Sequence, residues 1–284
     1  MSSSPTVLQR RVAFAMRRLR HAAGLRQGDL VTTAGYSESA VNQLEKRTRR
    51  PQRRMIVALL HAYGRADLIP AYEEQLRLMG RKNWWAELID SHEVTGFDVY
   101  LGLEDGASQL ESWEPLAIPG LLQSEHYARE TLAAGTTGAD MLESRLALRQ
   151  QRQEILTRTE QPVGLWAITT EYALAHIPAA PEVRREQYEH LLDLVALPTV
   201  QLQVIPHGVG IGSGVRGPFT ILGFDQPEDP GVVYLETEAR AIWFETQEDI
   251  TKYSLLMNRL RACGCSAEQS AALIEQYRKE ASDR

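Results

Sequence analysis

The chain has 284 residues, of which 43% are hydrophobic and 24% are charged, and its formal net charge is −6. This length and apolar content predict two folded domains and exclude a disordered, collagen-like or purely coiled-coil chain. No apolar run approaches the ~20 residues that span a bilayer, and we expect neither a membrane segment nor a secretion signal. Cys263 and Cys265 are too close together for an ordinary disulfide, so we expect a cytoplasmic protein.

The charge is divided very unevenly along the chain. Residues 1–82 hold 16 Lys/Arg and 6 Asp/Glu, a net charge of +10, whereas residues 83–284 hold 15 Lys/Arg and 31 Asp/Glu, a net charge of −16. This reversal predicts a domain boundary near 82 and a polyanion as partner of the basic domain. The alternative is a well-solvated helical surface without a partner.

The basic domain is predicted to be all-α. Apolar residues at helical spacing predict five helices, over residues 7–22, twice within 27–46, and over 52–63 and 67–79. Gly24 is typical of a residue just after a helix end. Gly35 supplies the positive φ of a turn between two short helices, and Ser37 is a good N-cap for the second of them. Two short helices with a glycine between them predict a helix-turn-helix.

The second helix of this motif has polar residues on its outward side. Asn and Gln side chains can bond an adenine edge, and Ser can bond several bases. We therefore predict contacts with double-stranded DNA from the residues at the start and on the outward side of this helix, namely Ser37, Glu38, Ser39, Asn42, Gln43 and Lys46. Contacts with backbone phosphates are predicted for Gln27, Arg47, Arg49, Arg50 and Arg53. A helical bundle that binds only proteins is the alternative.

Over about residues 7–80 this pattern resembles the XRE-type helix-turn-helix domain, which is related to phage repressors. The resemblance implies sequence-specific binding to DNA. Two positions depart from the family pattern. Val31 stands where a small alanine is usual, so we expect slightly wider packing of the two helices. Arg47 and Thr48 replace the usual glycine after the second helix, so the loop geometry there is open.

The acidic domain, 83–284, is predicted to be α+β with an antiparallel sheet. Strands are expected near 107–113, 163–170, 200–206, 218–224, 231–236 and 240–245. Helices are expected at 84–91, 97–105, 123–134, 141–159, 182–195, 246–262 and 266–281. The last strands are separated by turn-forming Asp, Pro and Gly, which favours an antiparallel meander.

Several motifs of this domain are similar to those of a known family. They are Trp113-Glu-Pro-Leu-Ala-Ile-Pro-Gly-Leu-Leu-Gln123, the Arg-x-x-x-Arg-Gln-x-Arg pattern at 145–152, and Val233-Tyr-Leu-Glu236. Together they resemble the C-terminal domain of actinobacterial XRE-type regulators, called WhiJ-like or antitoxin-like. The resemblance implies a transcriptional regulator with a small protein partner. Pro119 and Gly120 predict a turn that places Leu121 and Leu122 in a core.

The sequence contains no convincing catalytic or metal-binding motif, so we expect no enzyme, no cofactor and no metal site. The glycine run at 212–217 matches a dinucleotide motif by letter, but Pro218 and a predicted strand follow it where a helix is required. Trp113, His207 and Arg216 are the candidates for contact with a ligand or partner. For Trp113 a core position is the alternative, and for His207 and Arg216 a solvated loop.

Two functions are open at this point. The first is a DNA-binding regulator that forms a homodimer on a two-fold operator and senses a small protein or small-molecule effector through residues 83–284. The alternative is an antitoxin or adaptor that sequesters a small basic partner on its acidic domain and uses DNA binding for autoregulation.

Overall fold

A computed structural model of the chain describes residues 4–89, 95–136, 138–210, 215, 217–226, 228–237 and 240–282. The chain divides into two compact units. The first contains residues up to Trp84 together with Asp225–Asp229, and the second contains Trp85–Phe224 and Pro230–Arg284. Within the described ranges, no helix is both long enough and apolar enough to cross a membrane.

The first unit is helical. Its helices are α1 (Pro5–Ala22), α2 (Leu30–Thr33), α3 (Glu38–Glu45), α4 (Arg53–Ala62) and α5 (Ile69–Leu78). The single turn of α2 is extended at its start by a 3₁₀ turn, Gln27–Asp29. The core is formed by apolar side chains from every helix, among them Leu8, Val12, Met16, Leu30, Val41, Leu44, Ile56, Leu59 and Tyr72.

The helix ends of this unit follow the local sequence. Gly24 follows the end of α1 with φ +70°, which confirms the predicted helix end, and Gly35 has φ +72°, which confirms the predicted turn. A residue with a Cβ is disfavoured in this conformation. The Ser37 hydroxyl accepts a hydrogen bond from the backbone N–H of Ala40 at 3.2 Å, which confirms the predicted N-cap.

Two acidic residues of the 225–229 segment bind α1. Asp229 accepts hydrogen bonds from Nε and Nη2 of Arg10 at 3.0 and 2.5 Å, and both side chains are buried. Glu228 pairs with Arg18 at 3.2 Å on the surface. Arg10 is therefore part of the interior of this unit.

The second unit is built on a six-stranded sheet with the strand order β3-β2-β1-β4-β5-β6. The strands are β1 (Gln109–Glu114), β2 (Gly164–Thr170), β3 (Val200–Ile205), β4 (Phe219–Gly223), β5 (Val232–Glu236) and β6 (Ala241–Phe244). All six lie where strands were predicted. The antiparallel prediction holds only for β1, β4, β5 and β6, because β1, β2 and β3 pair in parallel.

The helical connections explain this correction. A strand that is followed by helices returns to the same end of the sheet and pairs in parallel with the next strand. The helices are α6 (Phe97–Gly106), α7 (Glu125–Ala133), α8 (Ala139–Thr157), α9 (Glu171–Ala175), α10 (Pro181–Val195), α11 (Gln247–Cys263) and α12 (Ala267–Ser282). α7 and α8 connect β1 to β2, and α9 and α10 connect β2 to β3. The sequence did not predict α9, and only a 3₁₀ turn, Trp84–Glu87, lies in the described part of the predicted helix 84–91.

One face of the sheet packs against α11. Because side chains alternate between the faces of a strand, Trp113, Ile168 and Phe219 share this face, and they form a core with Met257 and Leu260 of α11.

The Pro-Gly-Leu-Leu-Gln segment follows β1. Leu121 and Leu122 are buried, and the Ser124 hydroxyl accepts from the N–H of Tyr127 at the start of α7. The predicted structural role of this segment is confirmed.

Candidate nucleic-acid interface

α3 has one buried and one exposed side. Val41 and Leu44 point into the core of the first unit. The residues predicted to reach DNA lie on the other side: Ser37, Glu38, Ser39, Gln43 and Lys46 are exposed, and Asn42 is half-buried. The exposed side thus offers hydroxyl and amide groups and one cation, with the single carboxylate of Glu38 at its N-terminal end. This surface has the size and chemistry of a helix that enters a major groove.

A buried ion pair holds α3 against α1. Glu45, the last residue of α3, accepts hydrogen bonds from Nε and Nη2 of Arg20 at 2.7 and 2.9 Å. Arg20 is 6% exposed, and its Nη1 also donates to the carbonyl of Leu25 at 2.9 Å. The hydrogen bond to Glu45 raises the pKa of Arg20, and burial, followed by the charge of Glu45, raises the pKa of Tyr63. The pair fixes the end of α3 from inside the unit.

Gln27 takes part in this network. Its Nε2 donates to Oε2 of Glu45 at 2.7 Å. One amide hydrogen of Gln27 is therefore used internally, which leaves its second amide hydrogen for the predicted phosphate contact. Sequence analysis missed Arg20 and Glu45 as positioning residues, because a charged residue in a helical pattern normally indicates the solvated side.

The loop after α3 contains Arg47 where the family pattern has a glycine. Arg47 has φ +63°, so an arginine takes the left-handed conformation that glycine usually supplies. Its carbonyl accepts from Nε2 of Gln9 at 3.1 Å, and its guanidinium lies 5.2 Å from the centre of the Phe14 ring. Val31, where wider packing of the two helices is expected, is 52% exposed. The spacing of the two helices stays a prediction.

The other predicted phosphate contacts differ in how they are engaged. Nη2 of Arg50 donates to the carbonyl of Met79 at 2.5 Å, and Arg53 pairs with Glu73 at 2.5 Å on the surface. Lys46 and Arg49 lie close to the exposed side of α3, and neither forms an ion pair with any residue that the structure describes. Their roles at DNA stay predictions.

Two of the three ligand candidates of the second unit lie among the described residues. Trp113 is buried in the core against α11, which favours its structural role. His207 is exposed, and its backbone N–H donates to Glu171 at 2.7 Å. Arg216 lies outside the described residues.

Two known families match separate parts of the chain. A family described as a helix-turn-helix domain matches residues 11–68, and a family described as a domain of unknown function, DUF5753, matches residues 97–276. No curated protein and no solved structure matches the chain significantly. The helix-turn-helix match indicates a DNA-binding regulator, whereas the narrower XRE, WhiJ-like and actinobacterial assignments stay predictions.

Proposed function

Since this chain belongs to the DUF5753 family and carries a helix-turn-helix domain before the family domain, we propose that it is a sequence-specific transcriptional regulator that acts by binding and not as an enzyme. In this proposal α3 enters the major groove of double-stranded DNA. The observation that carries it is the exposed side of α3, where Asn42 and Gln43 face outward from a helix that the Arg20–Glu45 pair holds in place.

The proposed division of labour on DNA follows from side-chain chemistry. Asn42 and Gln43 bond base edges, because an amide offers a paired donor and acceptor. Lys46 and Arg49 bind phosphates, which adds affinity without sequence preference. Glu38 accepts from a cytosine amino group or rejects sequences that lack one there.

We further propose that the regulator acts as a homodimer on a two-fold operator. One short recognition helix contacts only a few base pairs, and two copies about 34–36 Å apart would contact half-sites one helical turn apart. In this scheme residues 83–284 form the dimer and sense a small-molecule effector or a small protein partner.

A second candidate function rests on the charge of residues 83–284, which is −16. An acidic surface of this kind suits the sequestration of a small basic protein, as in an antitoxin or adaptor. Purification of the native protein under low-salt conditions, followed by a gel shift with and without any co-purified partner, distinguishes the two. A partner that changes DNA binding favours the regulator, and a stoichiometric basic partner that leaves DNA binding unchanged favours the adaptor.

The DNA-binding proposal is tested by selecting bound sequences from a random pool of double-stranded DNA with the full chain. We expect one enriched sequence with two-fold symmetry. Gln43→Ala should then lose about 1–3 kcal/mol of affinity for that sequence and accept more bases at one position. Gln150→Ala, which changes an exposed glutamine of α8, serves as the matched control. A pool without any enriched sequence would contradict the proposal.

A further inference from the structure

The second unit contains a cavity of about 570 Å³. It lies mainly between α6, α8 and the face of the sheet opposite α11. Ser112, Trp113 and Glu114 of β1 line it. Trp113 is also part of the core that packs against α11. The volume is in the range of pockets that hold drug-sized small molecules.

Three arginines of α8 line this cavity. Arg145, Arg149 and Arg152 are spaced i, i+4 and i+7, which places them on one side of the helix. They are the Arg-x-x-x-Arg-Gln-x-Arg pattern of the sequence. Nothing in the proposed DNA contacts uses this pattern.

The positive charge of Arg152 is compensated by a carboxylate inside the domain. Its Nε and Nη2 donate to the two oxygens of Glu104 at 2.7 and 2.9 Å, and the hydroxyl of Tyr100 donates to the same carboxylate at 2.6 Å. This carboxylate is therefore hydrogen-bonded by Arg152 and Tyr100, and it acts on Arg149 only through its charge, as Glu236 also does. Arg145 donates to the hydroxyl of Thr136 at 3.0 Å.

Arg149 differs from Arg152 because no carboxylate binds it within the described ranges. Its Nη1 donates to the neutral amide oxygen of Gln123 at 2.5 Å. The backbone of Gly120 packs against the guanidinium so closely that an added Cβ would lie 3.0 Å from Nη1. Burial, with a smaller contribution from the charge of Arg152, lowers the pKa of Arg149 to about 10, so the group is still protonated at neutral pH. Glu104 and Glu236 act on Arg149 only through their charges, and a largely buried cation without a hydrogen-bonded anion is costly.

The wall beside the arginines is aromatic. Phe97 and Tyr100 stack at 5.8 Å between ring centres, and Tyr100 and Tyr234 stack at 4.2 Å. All three line the cavity. On the strand side, Glu114 and Glu236 line it as well, and they would accept hydrogen bonds from donors on a bound molecule.

We propose that this cavity is the effector site of the protein and binds a small organic molecule with an anionic group, a carboxylate or a phosphate, against Arg149 and an aromatic or apolar body against Tyr100 and Tyr234. The anion supplies the directly bound counter-charge that Arg149 lacks among the described residues, and the guanidinium fork matches the oxygens of either group. The proposal deepens the effector sensing of the proposed function, but binding in the cavity does not require DNA.

The first test uses matched probes on the full chain without DNA. 2-Naphthoate and 2-naphthyl phosphate carry the two candidate anions, and 2-naphthamide is their neutral counterpart. We expect at least one of the anionic probes to raise the melting temperature at millimolar concentration, and the stronger of the two identifies the anion. The neutral amide should have no effect. If neither anion raises the melting temperature, or if the amide does so equally, the proposal is wrong.

The second test locates the binding. Arg149→Gln keeps a hydrogen-bond donor for Gln123 but removes the charge, and it should weaken the anionic probe roughly 10- to 100-fold. Arg149→Lys keeps the charge without the fork and should weaken it less. Arg185→Gln, on the exposed side of α10, is the control. Circular dichroism checks that each variant is folded. Unchanged affinity in both Arg149 variants would overturn the site.

DNA binding is measured separately in the same variants. If the DNA-binding proposal fails, probe binding can still be present, and if the cavity proposal fails, sequence-specific DNA binding can still be present. The two failures are therefore distinguishable.

Discussion

Glu45 accepts three hydrogen bonds in the interior of the first unit, two from Arg20 and one from Gln27. Glu45→Gln keeps the shape of the side chain but replaces one acceptor oxygen with a donor that faces other donors. It also leaves the guanidinium of Arg20 buried without a counter-charge. Breaking a buried pair from one side costs about 3–5 kcal/mol, and we expect a loss near the lower value because one oxygen remains. Both partners are almost completely buried, so solvent screening does not reduce this value.

Amide hydrogen exchange in the full chain reports this loss for each helix. A loss of about 3 kcal/mol corresponds to roughly 100-fold faster exchange of the most protected amides in α1 and α3. Exchange in α10 should not change, because α10 belongs to the second unit. Glu38→Gln removes an exposed carboxylate from the same helix and is the matched control. Exchange in α1 and α3 that is equally slow in wild type and Glu45→Gln would refute the anchoring role of the pair.

Three further predictions concern single residues. Lys46→Ala should weaken binding to cognate and to random DNA equally, and in a salt titration it should lower the magnitude of the slope of log K against log salt by roughly one. A loss of affinity confined to cognate DNA would assign Lys46 to base contacts instead. Burial, with the charge of Glu236, raises the pKa of Glu114 to about 6. The stability that the neutral carboxyl contributes is therefore present below the unfolded pKa near 4.5 and is lost as the pH rises through 6. Glu114→Gln should flatten this part of the pH–stability curve by at most about 2 kcal/mol, and an unchanged curve would contradict the raised pKa. Gly231→Ala should destabilise the second unit by about 1–3 kcal/mol in urea unfolding. The reason is that φ of Gly231 is +94° and the new Cβ would lie 2.7 Å from a backbone carbonyl oxygen of β4. Gly210→Ala is the control and should have almost no effect, because no atom lies within 4 Å of the added Cβ.

The features predicted best are those that short stretches of chain decide. The positive φ of Gly35 and the cap at Ser37 depend on a residue and its immediate neighbours, so the sequence was sufficient for both. The six strands were located for a similar reason, since alternation and turn residues lie within each segment.

The direction of the strands was predicted less well, although the signal was present. Two helices were predicted between 113 and 163, and a helical connection between neighbouring strands is typical of parallel pairing. The prediction of a wholly antiparallel sheet relied on the meander that leads from β4 to β6 and extended it to strands with different connections.

The cavity could be predicted only in part. The spacing of Arg145, Arg149 and Arg152 indicates one helix side, but a helical pattern does not say which strands face it. The ion pair of Arg152 with Glu104 joins residues 48 positions apart, and only the fold decides that Arg149 has no such partner among the described residues. The same limit applies to Trp113, because only the packing of the sheet places it both in the core against α11 and on the lining of the cavity.

The charge of the first unit shows how burial changes the meaning of a composition. The +10 of residues 1–82 predicted a polyanion as partner, yet Arg10 and Arg20 are buried against Asp229 and Glu45. A phosphate can be neutralised only by a cation that it can reach, so these two arginines add nothing to the contacts with DNA. The salt dependence of binding should therefore follow the exposed cations around α3, such as Lys46, and fall below what the net charge implies.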